Sequence, residues 1–183
     1  MEVTWSLDPL VAAITALMAA GLIYVAWKEL SAIHASSKAE VLKQLDARFS
    51  KSPMTEARDE ARRLFAEMDK RYEHEREAQR ALSAIADFTA HLNELKKAND
   101  KKYFTLIDIC AFFETVGYLA YKKYVLFKDI YELFGGSILV AGKFFETHIK
   151  DLQKGPPPDP KLYENFLWLL EEVRKQQQTT QPT

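Results

Sequence analysis

Between Asp8 and Lys28 the chain carries nineteen consecutive residues without a charge, PLVAAITALMAAGLIYVAW, residues 9–27. At about 1.5 Å of rise per residue, a helix over this run covers roughly the 30 Å hydrocarbon core of a bilayer. Two other uses of such a run are set against that one. A cleavable signal peptide has a basic first segment and a short apolar stretch, whereas Glu2 and Asp8 are the only charges before this long one. A helix buried in a soluble core has a polar face, and here Thr15 is nearly alone. A span explains more. Trp5 lies near one end and Tyr24 and Trp27 near the other, about 33 Å apart as a helix, where amphipathic rings favour the headgroup layer.

The sequence therefore predicts a transmembrane helix over residues 9–27, with Trp5, Tyr24, Trp27 and Lys28 at the membrane interface. No Lys or Arg precedes the run, while Lys28, Lys38 and Lys43 follow it. The bias of basic residues toward the cytoplasmic side then places residues 1–8 outside and the rest of the chain in the cytoplasm. The expected location is the inner (cytoplasmic) membrane, crossed once. Ala12, Ala16 and Ala20 share one face of the run, a candidate contact between transmembrane helices. The plainer reading is that alanine is common in such helices.

Beyond residue 27 lie about 155 residues, a normal size for one domain with its own core. The formal charge of -1 argues against a dedicated nucleic-acid binder. Cys110 is the only cysteine, so no internal disulfide forms. Six glycines and no sustained alternation of apolar residues leave little material for a sheet. The expected fold is all-α: one N-terminal transmembrane helix, then an irregular cytoplasmic helical bundle.

Residues 28–51 read as a juxtamembrane helix with apolar positions at Leu30, Ile33, Val41, Leu42, Leu45 and Phe49. A helical domain over 52–154 follows. Ser52-Pro53 predicts a serine N-cap with proline at the first helical position. Ala57, Ala61, Leu64, Phe65, Met68 and Tyr72 then repeat at the helical period. On the other face Asp59 with Arg63 and Glu67 with Arg71 are expected ion pairs. Arg58, Arg62 and Arg63 read as a solvated face, given their acidic neighbours, before they read as a phosphate site.

A second stripe, Ala78, Leu82, Ile85, Phe88, Leu92 and Leu95, predicts a helix from about Arg76 to Ala98, with Asn99-Asp100 as stop and restart. Twelve of the nineteen Phe and Tyr residues fall between Tyr103 and Phe145. This region reads as the core, since Asp108 and Glu114 argue against a second span. Gly135-Gly136-Ser137 predicts a turn between helices near 127–134 and 137–152. Residues 155–160 form a Pro-rich connector, residues 161–175 a C-terminal amphipathic helix, and residues 176–183 a polar tail expected to be disordered.

Catalytic and metal arrangements are scarce. None of His34, His74, His91 and His148 has a second histidine three or four residues away, and no HExxH, CxxC or phosphate-loop pattern occurs. Cys110 with Glu114 reads as a buried thiol in an aromatic core more readily than as an activated nucleophile. Asp108 and Glu114 interrupt a very apolar helix and form the candidate buried polar site. Glu114 is expected to bond a tyrosine or a backbone amide. No catalytic, cofactor or metal residue is assigned.

Phe112, Phe113, Glu114 and Gly117, then Tyr131, Leu133 and Phe134, then Tyr163, Asn165, Phe166 and Trp168 form a recognisable series. The series resembles an uncharacterised bacterial family of small single-span membrane proteins with a helical cytoplasmic domain of unknown function. The resemblance covers about a third of the chain directly. Where an aromatic-Trp pair is expected after the glycines, this chain has Lys143-Phe144-Phe145. The function expected is that of a membrane-anchored helical adaptor or regulatory subunit without catalysis. It would hold lipid through residues 9–27 and a protein partner, or a second copy, through the Ala12–Ala20 face or the last helix. The alternative is a ligand-responsive sensor or atypical enzyme with a pocket around Glu114.

Overall fold

The computed structural model describes Tyr24, residues 27–29 and residues 36–180. Apart from Tyr24 and Trp27, the predicted span over residues 9–27, with Ala12, Ala16 and Ala20, lies outside the described residues, as does Trp5. Tyr24, Trp27 and Lys28 are helical and exposed. The chain divides into two compact units, residues 1–41 and 42–183, and the second holds the core.

Every regular element among the described residues is a helix: α1 (36–49), α2 (Met54–Arg71), α3 (Glu77–Lys97), α4 (Lys101–Tyr121), α5 (Phe127–Lys154) and α6 (Glu164–Thr180). The all-α expectation holds. α4 is the central helix and packs against α2, α3, α5 and α6. By length and composition α4 could cross a membrane. Its apolar residues are accounted for within the protein, because Leu106, Ile109, Cys110, Phe112, Phe113 and Val116 are buried among the other helices.

Two ring clusters fill the core. Phe49 at the end of α1 stacks on Phe112 at 5.1 Å between centroids and meets Phe134 edge-on. Phe65 stacks on Phe144 at 4.7 Å, and Phe88 meets Phe145 edge-on. Such pairs contribute about 0.5–1.5 kcal/mol beyond the area they bury.

Several local expectations are corrected. Pro53, and not Ser52, occupies the N-cap position of α2, and the Ser52 hydroxyl bonds the Glu56 carboxylate. Arg63 pairs with Glu60 and Glu67, Arg62 with Asp59, and Arg71 with Asp87 on α3. The charged face is solvated as expected, with different partners. On α3 the buried stripe is Ala84, Phe88 and Leu92, while Ala78 and Leu82 are exposed. Small Ala84 allows close packing there, which an apolar count that favours Leu82 misses.

The turn expected at Gly135-Gly136-Ser137 is absent, and α5 runs unbroken through it for 28 residues. Glycine in a helix costs about 1 kcal/mol relative to alanine, and the long apolar face of α5 offsets that. Ile130, Phe134, Ile138, Phe145 and Ile149 are all buried on it. Asp159-Pro160 does not start α6. Asp159 instead accepts a hydrogen bond from the Lys161 N–H, and helix begins at Glu164. α6 then continues through residues 176–180, where a disordered tail was expected.

Candidate functional site

The stop and restart at Asn99-Asp100 shows how well short polar signals are obeyed. Asn99 takes a left-handed φ of 51° and the Asp100 N–H bonds the Leu95 carbonyl at 3.0 Å, closing α3. The Asp100 carboxylate then accepts from the Lys102 N–H at 2.8 Å, opening α4.

α4 delivers Glu114 to the start of α6. Glu114 Oε1 accepts a hydrogen bond from Asn165 Nδ2 at 2.6 Å, and Oε2 accepts one from the Phe166 backbone N–H at 2.8 Å. Phe166 is the third residue of α6, where backbone N–H groups have no partner inside the helix. Tyr163, just before α6, has a φ of 57° and a side chain that cannot cap. Glu114 therefore caps α6 from another helix, and its negative charge meets the positive end of the helix dipole. The expected bond to a backbone amide is found.

Gly117, one turn further along α4, makes this approach feasible. A Cβ there would lie 2.2 Å from the Asn165 carbonyl oxygen and 2.7 Å from its carbon. Phe113 stacks on Phe166 at 5.5 Å beside the polar contact, and Trp168 meets Tyr121 edge-on at 5.4 Å. The residues that carried the family resemblance at 112–117 and 163–168 thus meet as one clasp between α4 and α6. Burial pushes the neighbouring Tyr163 hydroxyl up to about 12, with the charges of Asp108 and Glu114 adding to it.

Asp108 does not join this clasp. It is exposed, contrary to its reading as a buried site residue, and faces an open groove of about 440 Å³. Arg48, Lys51, Ser52, Met54 and Thr105 also line that groove. Six residues on a helix turn Asp108 and Glu114 to different sides. Cys110 is fully buried, and burial raises its pKa well above the usual thiol range, which disfavours the nucleophilic thiolate.

The remaining buried polar pair escaped the sequence reading. Tyr103 Oη and His148 Nε2 lie 3.2 Å apart in the interior, and His148 Nδ1 has no partner. Burial lowers the His148 pKa to about 4, helped by the positive charge of Lys96. The signal was present: His148 shares the apolar face of α5 with Phe144, Phe145 and Ile149. Glu146 points elsewhere and is held by Lys150 and Arg174, each at 2.6 Å. Burial would raise its pKa, but those two hydrogen bonds outweigh it and hold the carboxyl low. Among the described residues no group of three His, Cys, Asp or Glu side chains is placed to hold a metal ion.

Beside the clasp, the end of α4 and the turn after it expose large apolar side chains. Tyr118, Tyr121, Tyr124 and Leu126 are 44%, 55%, 58% and 54% exposed. Lys122 Nζ lies 5.9 Å and 5.4 Å from the Tyr118 and Tyr121 ring centres, which ties this end together.

No curated protein and no solved structure matches the chain. Residues 11–173 match a family described as a domain of unknown function (DUF4760), from inside the uncharged run to the buried Val173 of α6. The chain belongs to that family, whose unit takes in most of the sequence.

Proposed function

We propose that the protein is a membrane-anchored helical adaptor or regulatory subunit that binds a protein partner and performs no catalysis. The exposed cluster of Tyr118, Tyr121, Tyr124 and Leu126 carries this reading. Aromatic side chains gathered on a surface favour protein contact. Of the two surfaces suggested by sequence, the face of α6 bearing Phe166, Leu169, Leu170 and Val173 is buried within its own unit. The aromatic end of α4 replaces it as the proposed contact. Residues 9–27 supply the anchor in this reading, as a single span with the N-terminus outside and the helical unit in the cytoplasm of a bacterial cell. The length of the run, its aromatic flanks and the lysines after it support that placement.

The test is photo-cross-linking in native membranes with benzoylphenylalanine in place of Tyr121 or Tyr124. A discrete adduct absent when the probe replaces exposed Leu82 supports the reading. Identical patterns from all three positions contradict it.

A second reading, a ligand-responsive sensor, is favoured by the groove beside Asp108, whose volume suits a small molecule. It predicts a ligand that raises the thermal midpoint of the full chain and fails to do so in Asp108→Asn.

A further inference from the structure

Residues 96–102 at the α3–α4 turn hold four lysines and one acid, in a chain whose net charge is -1. The acid, Asp100, is occupied with the Lys102 N–H. Lys96, Lys97, Lys101 and Lys102 are exposed, and none of them is in the ion pairs of the described residues. Lys101 and Lys102 also sit in the first turn of α4, which contains no acid and where the helix dipole disfavours cations. Local stability gives no reason for them. Acidic groups nearby are few: Lys96 shares a groove with Asp151 and Asp159, while Lys101 and Lys102 share one with Glu60, already held by Arg63. Phe104 adds a half-exposed ring two residues on.

Gln44, Ala47 and Arg48 of α1 line a groove with Thr105 and Asp108 of α4, and Phe49 stacks on Phe112. Only fourteen residues separate Trp27 from Leu42, where the unit begins.

We propose that the α3–α4 turn is a second, electrostatic membrane contact, in which Lys96, Lys97, Lys101 and Lys102 meet anionic phospholipid headgroups and Phe104 enters the interfacial layer. The proposal rests on the anchor reading above. Four exposed ammonium groups within seven residues match a layer of anionic headgroups, and neither groove lined by Lys96, Lys101 or Lys102 holds a buried cation to fix one small anion. A short tether raises the local concentration of headgroups, so even weak individual contacts are populated.

The test uses the full-length protein in bilayers of phosphatidylcholine, alone or mixed with phosphatidylglycerol. Lysine reactivity is read by reductive methylation and mass spectrometry. Lys97, Lys101 and Lys102 are expected to react about threefold or more slowly in the anionic bilayer, with the protection lost at high salt. Lys122 and Lys123, at the other end of α4, are expected to react equally in both. Equal rates at the turn in both bilayers overturn the proposal. In Lys101→Gln/Lys102→Gln, protection of Lys97 is expected to fall with an unchanged thermal midpoint, and undiminished protection overturns it as well. Flotation with neutral vesicles at high salt separates the two readings. A protein that floats with unprotected lysines retains its anchor and loses this contact, whereas one that does not float loses both.

Discussion

The C-terminal half of α4 and the turn that follows it use similar residues in opposite ways. At Phe113–Gly117 a ring, a carboxylate and a missing Cβ all turn inward to receive α6. At Tyr118–Leu126, beginning with the next residue, rings turn outward with two lysines among them. Aromatic content alone does not separate these regions. Polar bookkeeping does: the inward region satisfies a helix terminus that has no cap of its own, while the outward one satisfies nothing inside the protein. Holding the fold and presenting surface are thus divided between α4 and the turn that follows it, with Tyr121 at the border against Trp168.

The largest effect is expected at Gly117. Gly117→Ala is expected to cost about 3 kcal/mol, because the new Cβ meets the backbone of Asn165 and α6 must shift away. Chemical denaturation measures the loss, and a stability equal to wild type would show that α6 does not approach this closely.

Acid provides the next largest effect, at the opposite end of α4. His148 titrates near 4 when folded and at its ordinary 6.5 when unfolded. The unfolded chain therefore takes up the proton first. The stabilisation from neutral His148 is complete above pH 6.5 and is lost as pH falls to about 4, by at most about 3 kcal/mol. His148→Gln is expected to flatten the stability profile across that window; an unchanged slope would assign the effect to other groups.

Glu114→Ala leaves the Phe166 N–H without its acceptor and should cost about 1–3 kcal/mol. Hydrogen exchange should quicken first at the amides of residues 164–167, and uniform quickening across all helices would contradict a local capping role.

Two helix positions should respond in the favourable direction. Gly136 has nothing within 4 Å of a Cβ, so Gly136→Ala should stabilise by about 0.5–1 kcal/mol. Lys123 holds a φ of 61° as it closes α4, so Lys123→Gly should gain a similar amount. Loss of stability in either would mean that the exposed side of these helices is less open than it stands here.

Much of this arrangement was legible in the sequence. The aromatic run from Tyr103 to Phe145, the cap at Asp100 and the proline connector follow from ring burial, side-chain capping and the geometry of proline, all local signals. Glu114 was legible as a residue needing a partner. That partner lies 51 residues away, and no spacing rule supplies such a distance. Gly135-Gly136 misled because glycine marks turns only where no apolar face continues through it, and α5 has such a face on both sides. Asp108 misled for a related reason: an apolar sequence neighbourhood does not make a position buried when its own face of the helix looks outward. The lysines at the α3–α4 turn were not legible as a patch, since their exposure and their absence from the ion pairs of the described residues are set by the packing of the helices.

Two variants of the full chain in native membranes separate the two roles, Glu114→Gln in the clasp and Tyr118→Ala/Tyr124→Ala on the exposed surface. Affinity purification reads the recovered partner and thermal unfolding reads the fold. Glu114→Gln is expected to lower the thermal midpoint and keep the partner, while Tyr118→Ala/Tyr124→Ala keeps the midpoint and loses the partner. Loss of the partner or of an activity in Glu114→Gln at unchanged stability, with full recovery in the tyrosine variant, would contradict this division of roles.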